Sequence, residues 1–320
     1  MAKKTRQRRT KTPPPPPRVT DTSNDLSGRV IANYGATLAF EDENGVIHRA
    51  VARKRVALPV CGDRVFWQPQ TRGDSVITGI EPRQSVLERP DHRGHPKPLA
   101  ANFSRLIIVN APAPGISPEM IDCFLAAAVS MGVTPLLVIN KSDLLSTQER
   151  EKTGQLLKRY QDLGYESLLV NTIDGDGLDP LREALHQQTA IFVGQSGVGK
   201  SSIIQHLLPE REIRVGTLSA ATGLGKHTTT TTILYPLPNG GELIDSPGVR
   251  EYSLENFTQV QIAKGFREFD ELAPYCKFNN CTHLVEPNCA VQAAVTQGKI
   301  TTQRMFNYKK ICASLKSNGN

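Results

Sequence analysis

The chain has 320 residues, with 38 Lys and Arg against 31 Asp and Glu for a net charge of +7, a length that accommodates two or three domains and at least one sizeable core. No run of roughly 18 apolar residues occurs, and Met1-Ala2-Lys3-Lys4 opens no apolar leader, so neither a membrane-spanning helix nor a secretory signal is expected. The first 18 residues hold seven of the basic groups and no acid, which leaves 31 bases to balance the 31 acids elsewhere. Pro13 to Pro17 offer neither helix nor strand. Residues 1–24 therefore read as a disordered basic arm, either a solubilising end or a contact to nucleic-acid phosphate. From Gly28 to about Pro90 short strands are expected at Arg29–Phe40, Val46–Arg55, Asp63–Gln68, Asp74–Ile80 and Ser85–Glu88, with turns at Glu43-Asn44-Gly45, Pro59–Gly62 and Arg72-Gly73. Five strands without a helix-length amphipathic run suggest a small closed barrel, most simply an OB-fold over residues 25–92, although an SH3-like barrel fits the same pattern. Arg53, Lys54 and Arg55 are either phosphate contacts or a solvated face. A linker from Asp91 to Pro98 closes the unit.

From Ser104 the texture changes to apolar strands alternating with helices. Strands are expected at Leu106–Val109, Pro135–Ile139, Ser167–Val170 and Ala190–Val193, and helices at Pro118–Met131, Thr147–Leu163 and Asp179–Gln187. Continuous apolar strands between helices imply a parallel sheet covered on both faces, with its ligands at the carboxyl ends of the strands. Three motifs lie at such ends. Gly194-Gln195-Ser196-Gly197-Val198-Gly199-Lys200-Ser201 follows a strand and opens the helix Lys200–Leu208. This is the P-loop pattern: glycine-rich backbone N–H groups wrap phosphates, Lys200 reaches the β and γ phosphates, and Ser201 ligates Mg²⁺. Asn140-Lys141-Ser142-Asp143 has the N-K-x-D form. The Asp143 carboxylate matches the paired donors of guanine, Asn140 meets the other purine edge, and the Lys141 stem lies along the base. Asp245-Ser246-Pro247-Gly248 has the D-x-P-G form, with Asp245 on Mg²⁺ and the Gly248 N–H sensing the γ-phosphate. A P-loop ATPase or kinase in which Asn140–Asp143 is incidental is the competing reading of these segments.

The usual order of the three motifs is P-loop, D-x-P-G, N-K-x-D. Here N-K-x-D comes first and D-x-P-G last, as circular permutation allows where chain ends lie close together. The segment after Asp245 then leads out of the nucleotide-binding domain, expected over residues 103–252, into a C-terminal region over residues 253–320. That region holds Cys276, Cys281, His283 and Cys289, three thiolates and one imidazole, which is the ligand set of a closed structural zinc site; buried thiols beside an unrelated histidine are the alternative. The other cysteines, Cys61, Cys123 and Cys312, stand alone, which suits a reducing cytosol. Met305, Tyr308, Cys312 and Leu315 fall on one face of a terminal helix. Arg304, Lys309, Lys310 and Lys316 occupy others, as a nucleic-acid contact or a solvated surface.

The barrel, the permuted motifs, Gly223-Leu224-Gly225-Lys226-His227-Thr228-Thr229-Thr230, Asp245-Ser246-Pro247-Gly248-Val249-Arg250-Glu251 and the Cys-Cys-His-Cys cluster together resemble the YjeQ/RsgA family of ribosome small-subunit-dependent GTPases. The resemblance covers roughly residues 25 to 315. It implies an all-β OB-fold barrel, a central α/β P-loop GTPase domain and a mainly α zinc-binding domain, in a cytoplasmic factor. It further implies late maturation of the small ribosomal subunit, contact with its rRNA, and GTP hydrolysis to GDP and phosphate stimulated by that subunit. Asn140, Lys141, Asp143, Gly194 to Ser202, Asp245 and the four zinc ligands carry over as site residues, with one Zn²⁺ per chain, Mg²⁺ with GTP, and a monomer expected. The Thr228–Thr232 run takes the place of switch I, where Thr228 or Thr229 completes the Mg²⁺ shell; a plain edge strand is the alternative reading of this β-branched run. Val249 stands where many GTPases have a water-orienting Gln, so His227 is the candidate catalytic group, against a plain packing role. A GTP-gated RNA-binding module with negligible turnover is the alternative that Val249 supports.

Overall fold

The computed structural model describes residues 25–91, 95–223, 231–246 and 257–317. The basic arm, His227 with Thr228 and Thr229, and Gly248 with Val249 lie outside these described residues.

The amino-terminal unit is a closed barrel of β1 (Leu26–Asn33), β2 (Leu38–Asp42), β3 (Ile47–Ala52), β4 (Arg64–Gln68) and β5 (Ser75–Ile80). Strands β1, β2 and β3 run antiparallel in turn, β3 lies parallel to β5, and β4 pairs with both β5 and β1. Closure leaves no free sheet edge within the ring. The two-residue alternation of strand side chains turns Val30, Phe40, Ala50, Val65, Trp67 and Ile77 into its interior. These are five strands, but not the five expected. Arg29–Phe40 is two strands rather than one, because the Asn33 carboxamide accepts the Gly35 N–H at 2.7 Å and turns the chain. Ser85–Glu88 is not a barrel strand: it falls at β6 (Val86–Pro90), which pairs with β7 (Pro96–Ala101) in a separate hairpin across the expected linker.

The central sheet follows: β8 (Arg105–Asn110), α1 (Pro118–Ser130), β9 (Thr134–Ile139), α2 (Thr147–Asp162), β10 (Glu166–Leu169), α3 (Leu178–Ala184), β11 (Thr189–Val193), α4 (Lys200–Leu207), α5 (Arg211–Thr222), β12 (Thr232–Pro236) and β13 (Glu242–Asp245). Its strand order is β10-β9-β8-β11-β13-β12, parallel except for β12. Alternate residues of one strand serve opposite faces. Leu106, Ile108, Leu137, Ile139, Ile191 and Val193 join one core, and Ile107, Val109, Leu136, Val138, Ala190 and Phe192 the other. Helix α5 was not expected from the sequence. The barrel is stitched to this sheet by the pairing of Ala32 with Ile233 and Asn33 with Thr232, and by Arg29 bonding both Glu242 oxygens, at 2.6 and 2.5 Å.

The carboxyl-terminal unit comprises α6 (Gln259–Lys264), α7 (Arg267–Leu272), α8 (Ala290–Thr296) and α9 (Thr302–Ser317). Met305, Tyr308 and Cys312 are buried there against Phe266, Phe269 and the small side chains Ala126 and Ala127 of α1, with Leu315 packed on their edge. Arg304, expected on the basic surface, is buried instead. Its guanidinium bonds both Glu268 oxygens, at 2.6 and 2.9 Å, and also the Asp122 carboxylate of α1, which Asn307 and Tyr160 complete at 2.6 and 2.7 Å. Among the described residues no helix is long and apolar enough to cross a membrane.

Candidate nucleotide and metal sites

Strands β8, β9, β10, β11 and β13 present their carboxyl ends along one edge of the sheet. The chain builds outward from β8 through β9 to β10, then returns to place β11 on the other side of β8. Such a reversal opens a crevice between the loops that leave the two central strands, which is where open α/β sheets bind ligands. The loop leaving β11 is Gly194–Gly199, and α4 begins directly at Lys200. Its shape demands glycine. A Cβ on Gly194 would sit 2.2 Å from the Val109 carbonyl oxygen, and one on Gly199 would sit 2.3 Å from the Asn140 amide, with backbone φ of +139° and +91°. The Lys200 ammonium donates to the carbonyls of Gly194 and Gln195, each at 2.6 Å. Gln195 and Gly199 are half-buried, Ser196, Gly197, Ser201 and Ser202 are exposed, and Val198 is buried as the foot of the loop. A glycine-rich loop of this kind, running directly into a helix start, is the arrangement whose backbone N–H groups suit phosphate.

Asn140–Asp143 leaves β9 beside this loop and is tied to it twice. The buried Asn140 carboxamide donates to the Val198 carbonyl at 3.0 Å, and the Lys141 ammonium donates to the Gly197 carbonyl at 2.6 Å. Asn140 thus braces the phosphate loop, a role its motif alone did not suggest. Asp143 lies exposed on the short 3-10 turn Ser142–Leu144, free to face a ligand across the crevice. Buried Ser142 donates its backbone N–H to the Val170 carbonyl at 3.2 Å, which brings in the loop after β10. Asn171 in that loop is buried, and its carboxamide accepts the Ile173 N–H at 2.9 Å. No motif marks this loop in the sequence; its place after a parallel strand is the one signal that points to it.

Asp245 ends β13, whose pairing with β11 runs from Thr189–Glu242 to Ile191–Ile244 and so sets Asp245 near the root of the phosphate loop. Its carboxylate is ion-paired with Arg211, the first residue of α5, and the neighbouring Ser246 hydroxyl lies 2.9 Å from that of Thr232. The Asp245 carboxylate ends the strand beside the phosphate loop, and the Ser201 hydroxyl lies in the first turn of the helix that follows that loop; two oxygen donors of this kind are a set that fits a hard divalent ion.

Cys276, Cys281, His283 and Cys289 bring their ligand atoms within 4.8 Å of one another. The His283 Nδ1 lies 3.6 Å from the Cys276 sulfur and 3.3 Å from that of Cys289, and the two sulfurs are 3.9 Å apart. Glu286 shapes the loop around them. One of its oxygens accepts from the Thr282 N–H and hydroxyl, at 2.8 and 2.6 Å, and the other accepts from Leu284 and Val285 N–H groups, both at 3.1 Å. Burial works against its charge, but the bonds from Thr282 and the backbone prevail and hold its carboxyl at about 2. Burial raises the Cys281 and Cys289 thiols above their ordinary range and lowers the His283 imidazole. A cation among them would favour the thiolates and the neutral imidazole, so the cluster is compatible with one tetrahedral zinc.

A parallel sheet that carries its phosphate loop on a late strand, and the loop braced against it on an earlier one, belongs to the circularly permuted P-loop GTPases. A family model for the RsgA GTPase matches residues 80–255. The small ribosomal subunit biogenesis GTPase RsgA of Haemophilus influenzae (strain PittEE) is 46% identical over 292 residues, 90% of this chain and 84% of that protein. The crystal structure of YjeQ from Thermotoga maritima superposes with a TM-score of 0.75 at 29% identity, over 92% of this chain and 99% of that one. YloQ, described as a circularly permuted GTPase, superposes at 0.73 with 25% identity, over 95% and 99%. The chain belongs to the RsgA GTPase family.

Proposed function

We propose that the chain binds GTP with Mg²⁺, hydrolyses it, and acts in the cytoplasm in maturation of the small ribosomal subunit. The observation that carries this reading is the pair of bonds from Asn140 and Lys141 to the carbonyls of Val198 and Gly197. They tie together two loops whose bonded residues are 56 and 58 positions apart in sequence, so a base and its phosphates are gripped together and oriented without further reorganisation. In this reading Asp143 accepts from the guanine edge, the N–H groups of Gly194 to Gly199 bind the phosphate oxygens, and Lys200 moves toward them from its two carbonyls. Ser201 and Asp245 would hold Mg²⁺, directly and through water. When bound, that ion neutralises charge developing between the β and γ phosphates. Thr228 or Thr229 as a further Mg²⁺ ligand and His227 as the water-orienting group belong to the proposal and lie outside the described residues. The four-residue Cys-His cluster would hold one zinc as a structural centre, with no open position for catalysis. Basic arm, barrel, GTPase domain and zinc domain, over 1–24, 25–92, 103–252 and 253–320, are the proposed division of labour, with rRNA as the partner of the outer units. GTP turnover by the purified chain with and without small ribosomal subunits tests this. Strong stimulation by the subunit is expected; equal, negligible rates in both cases would leave a nucleotide-gated binding module instead.

A further inference from the structure

Asp245, the carboxylate assigned above to the magnesium side, is engaged by a cation of the protein itself. Arg211 reaches it from the first turn of α5, and its Nε donates to the Tyr235 hydroxyl at 3.3 Å. The guanidinium carbon stands 5.6 Å from the centre of the Tyr235 ring. Tyr235 is itself buried on β12, which pairs Tyr235 with Leu243 of β13. The arginine is therefore held on two sides, by an acid at the end of β13 and by a phenol anchored two residues back along the paired strands. Its own helix ends at Thr222, and the threonine run follows a few positions later in the sequence. A guanidinium on one carboxylate oxygen and a divalent ion drawn to the same group repel each other, so each weakens the other's hold on Asp245.

We propose that Arg211 is a positioning residue that competes with Mg²⁺ for Asp245, and so sets the magnesium concentration at which nucleotide is held. With no ion bound, Arg211 neutralises Asp245 and keeps the carboxylate turned toward α5. When the ion arrives, Asp245 turns to its water, Arg211 is released, and the start of α5 is freed at the moment the nucleotide is locked. The helix that introduces switch I thereby senses magnesium through one side chain. This inference rests on the reading of Asp245 as the magnesium-side acid.

The test is release of fluorescently labelled GDP from the full chain, titrated across chelator-buffered Mg²⁺. The pair is about a fifth to two-fifths exposed, so its loss acts modestly. Arg211→Met, which keeps the stem beside Tyr235 without the charge, should lower the Mg²⁺ midpoint about three- to tenfold. Arg211→Lys should stay near the parent, and Arg211→Met added to Asp245→Asn should change nothing beyond Asp245→Asn alone. Arg211→Gln, which keeps a donor for the Tyr235 hydroxyl, is measured alongside so that poor folding of one variant does not end the test. A midpoint unchanged or raised in folded Arg211→Met or Arg211→Gln overturns the proposal. If Asp245→Asn leaves the midpoint where it was, the assignment of Asp245 fails instead, and the two failures are told apart.

Discussion

Arg304→Met should undock the carboxyl-terminal helices from the GTPase domain. Arg304 bridges α9 to α7 and α1, with side-chain exposure of 10% against 11% for Glu268 and 0% for Asp122. Methionine preserves the packing volume beside Phe266, whose ring centre is 4.3 Å from the guanidinium, so the substitution isolates the charge. Two acids then remain buried with no cation between them. Breaking a buried pair in this way costs about 3–5 kcal/mol, a large part of the roughly 5–15 kcal/mol that holds a domain folded. The loss has a pH signature. Burial raises the Asp122 carboxyl against the pull of Arg304 and the bonds from Asn307 and Tyr160. A carboxyl raised in the folded state binds its proton over a window in which the unfolded chain has released it, so stability falls as pH rises above about 4. Without Arg304 that window extends further upward, and the deficit of the variant should be larger at pH 7 than at pH 5. Hydrogen exchange across residues 257–317, with urea unfolding at the two pH values, measures it. Adding Asp122→Asn should recover part of the loss. A deficit below about 1 kcal/mol, equal at both pH values, would mean that the aromatic packing of Phe266, Phe269 and Tyr308 holds the interface and the charges are incidental.

Asp143→Asn should cost about 2–4 kcal/mol of GTP binding by losing charge-assisted bonds, and should favour xanthosine triphosphate, whose carbonyl the new amide can donate to; an unchanged guanine preference in a competition assay rejects the base-recognition role. Cys281→Ser or chelation should unfold the carboxyl-terminal helices, since structural zinc contributes roughly 10–16 kcal/mol, while GTP binding by the central domain survives and small-subunit binding weakens. Metal analysis without stoichiometric zinc would end that expectation. His227→Ala should lower single-turnover hydrolysis on saturating subunits by about 10²–10⁴-fold if the imidazole orients or activates water, with GTP and subunit binding near normal. A loss of only a few fold would assign the water to another group.

The nucleotide loops, the Cys-His cluster and the barrel as a class were legible in the residues because their chemistry is local. A phosphate loop needs a strand, a few glycines and a helix start within about a dozen residues. Gly194 to Ser201 carry all of that in one stretch, and the permuted order of Asn140, Gly194 and Asp245 is a fact of sequence. The cluster is legible for the same reason: Cys276 to Cys289 span 14 positions, and three cysteines with a histidine are residue types that suit a zinc site. Burial and partnership across the chain were not legible. Arg304 lies on a helix face with lysines nearby and looks like them; only the approach of α1 and α7 supplies Asp122 and Glu268 and makes it an interior charge. Ser85–Glu88 had the composition of a barrel strand, yet which strand it pairs with depends on where residues 96–101 return. Arg211 carries no motif, and its place on Asp245 exists because β12 and β13 bring Tyr235 and the acid to the same helix start. Side-chain identity and short spacing determine what a loop can bind, whereas register, strand order and the packing of helices determine which charges meet, because those contacts join residues separated by tens to hundreds of positions and have no periodic trace in the chain.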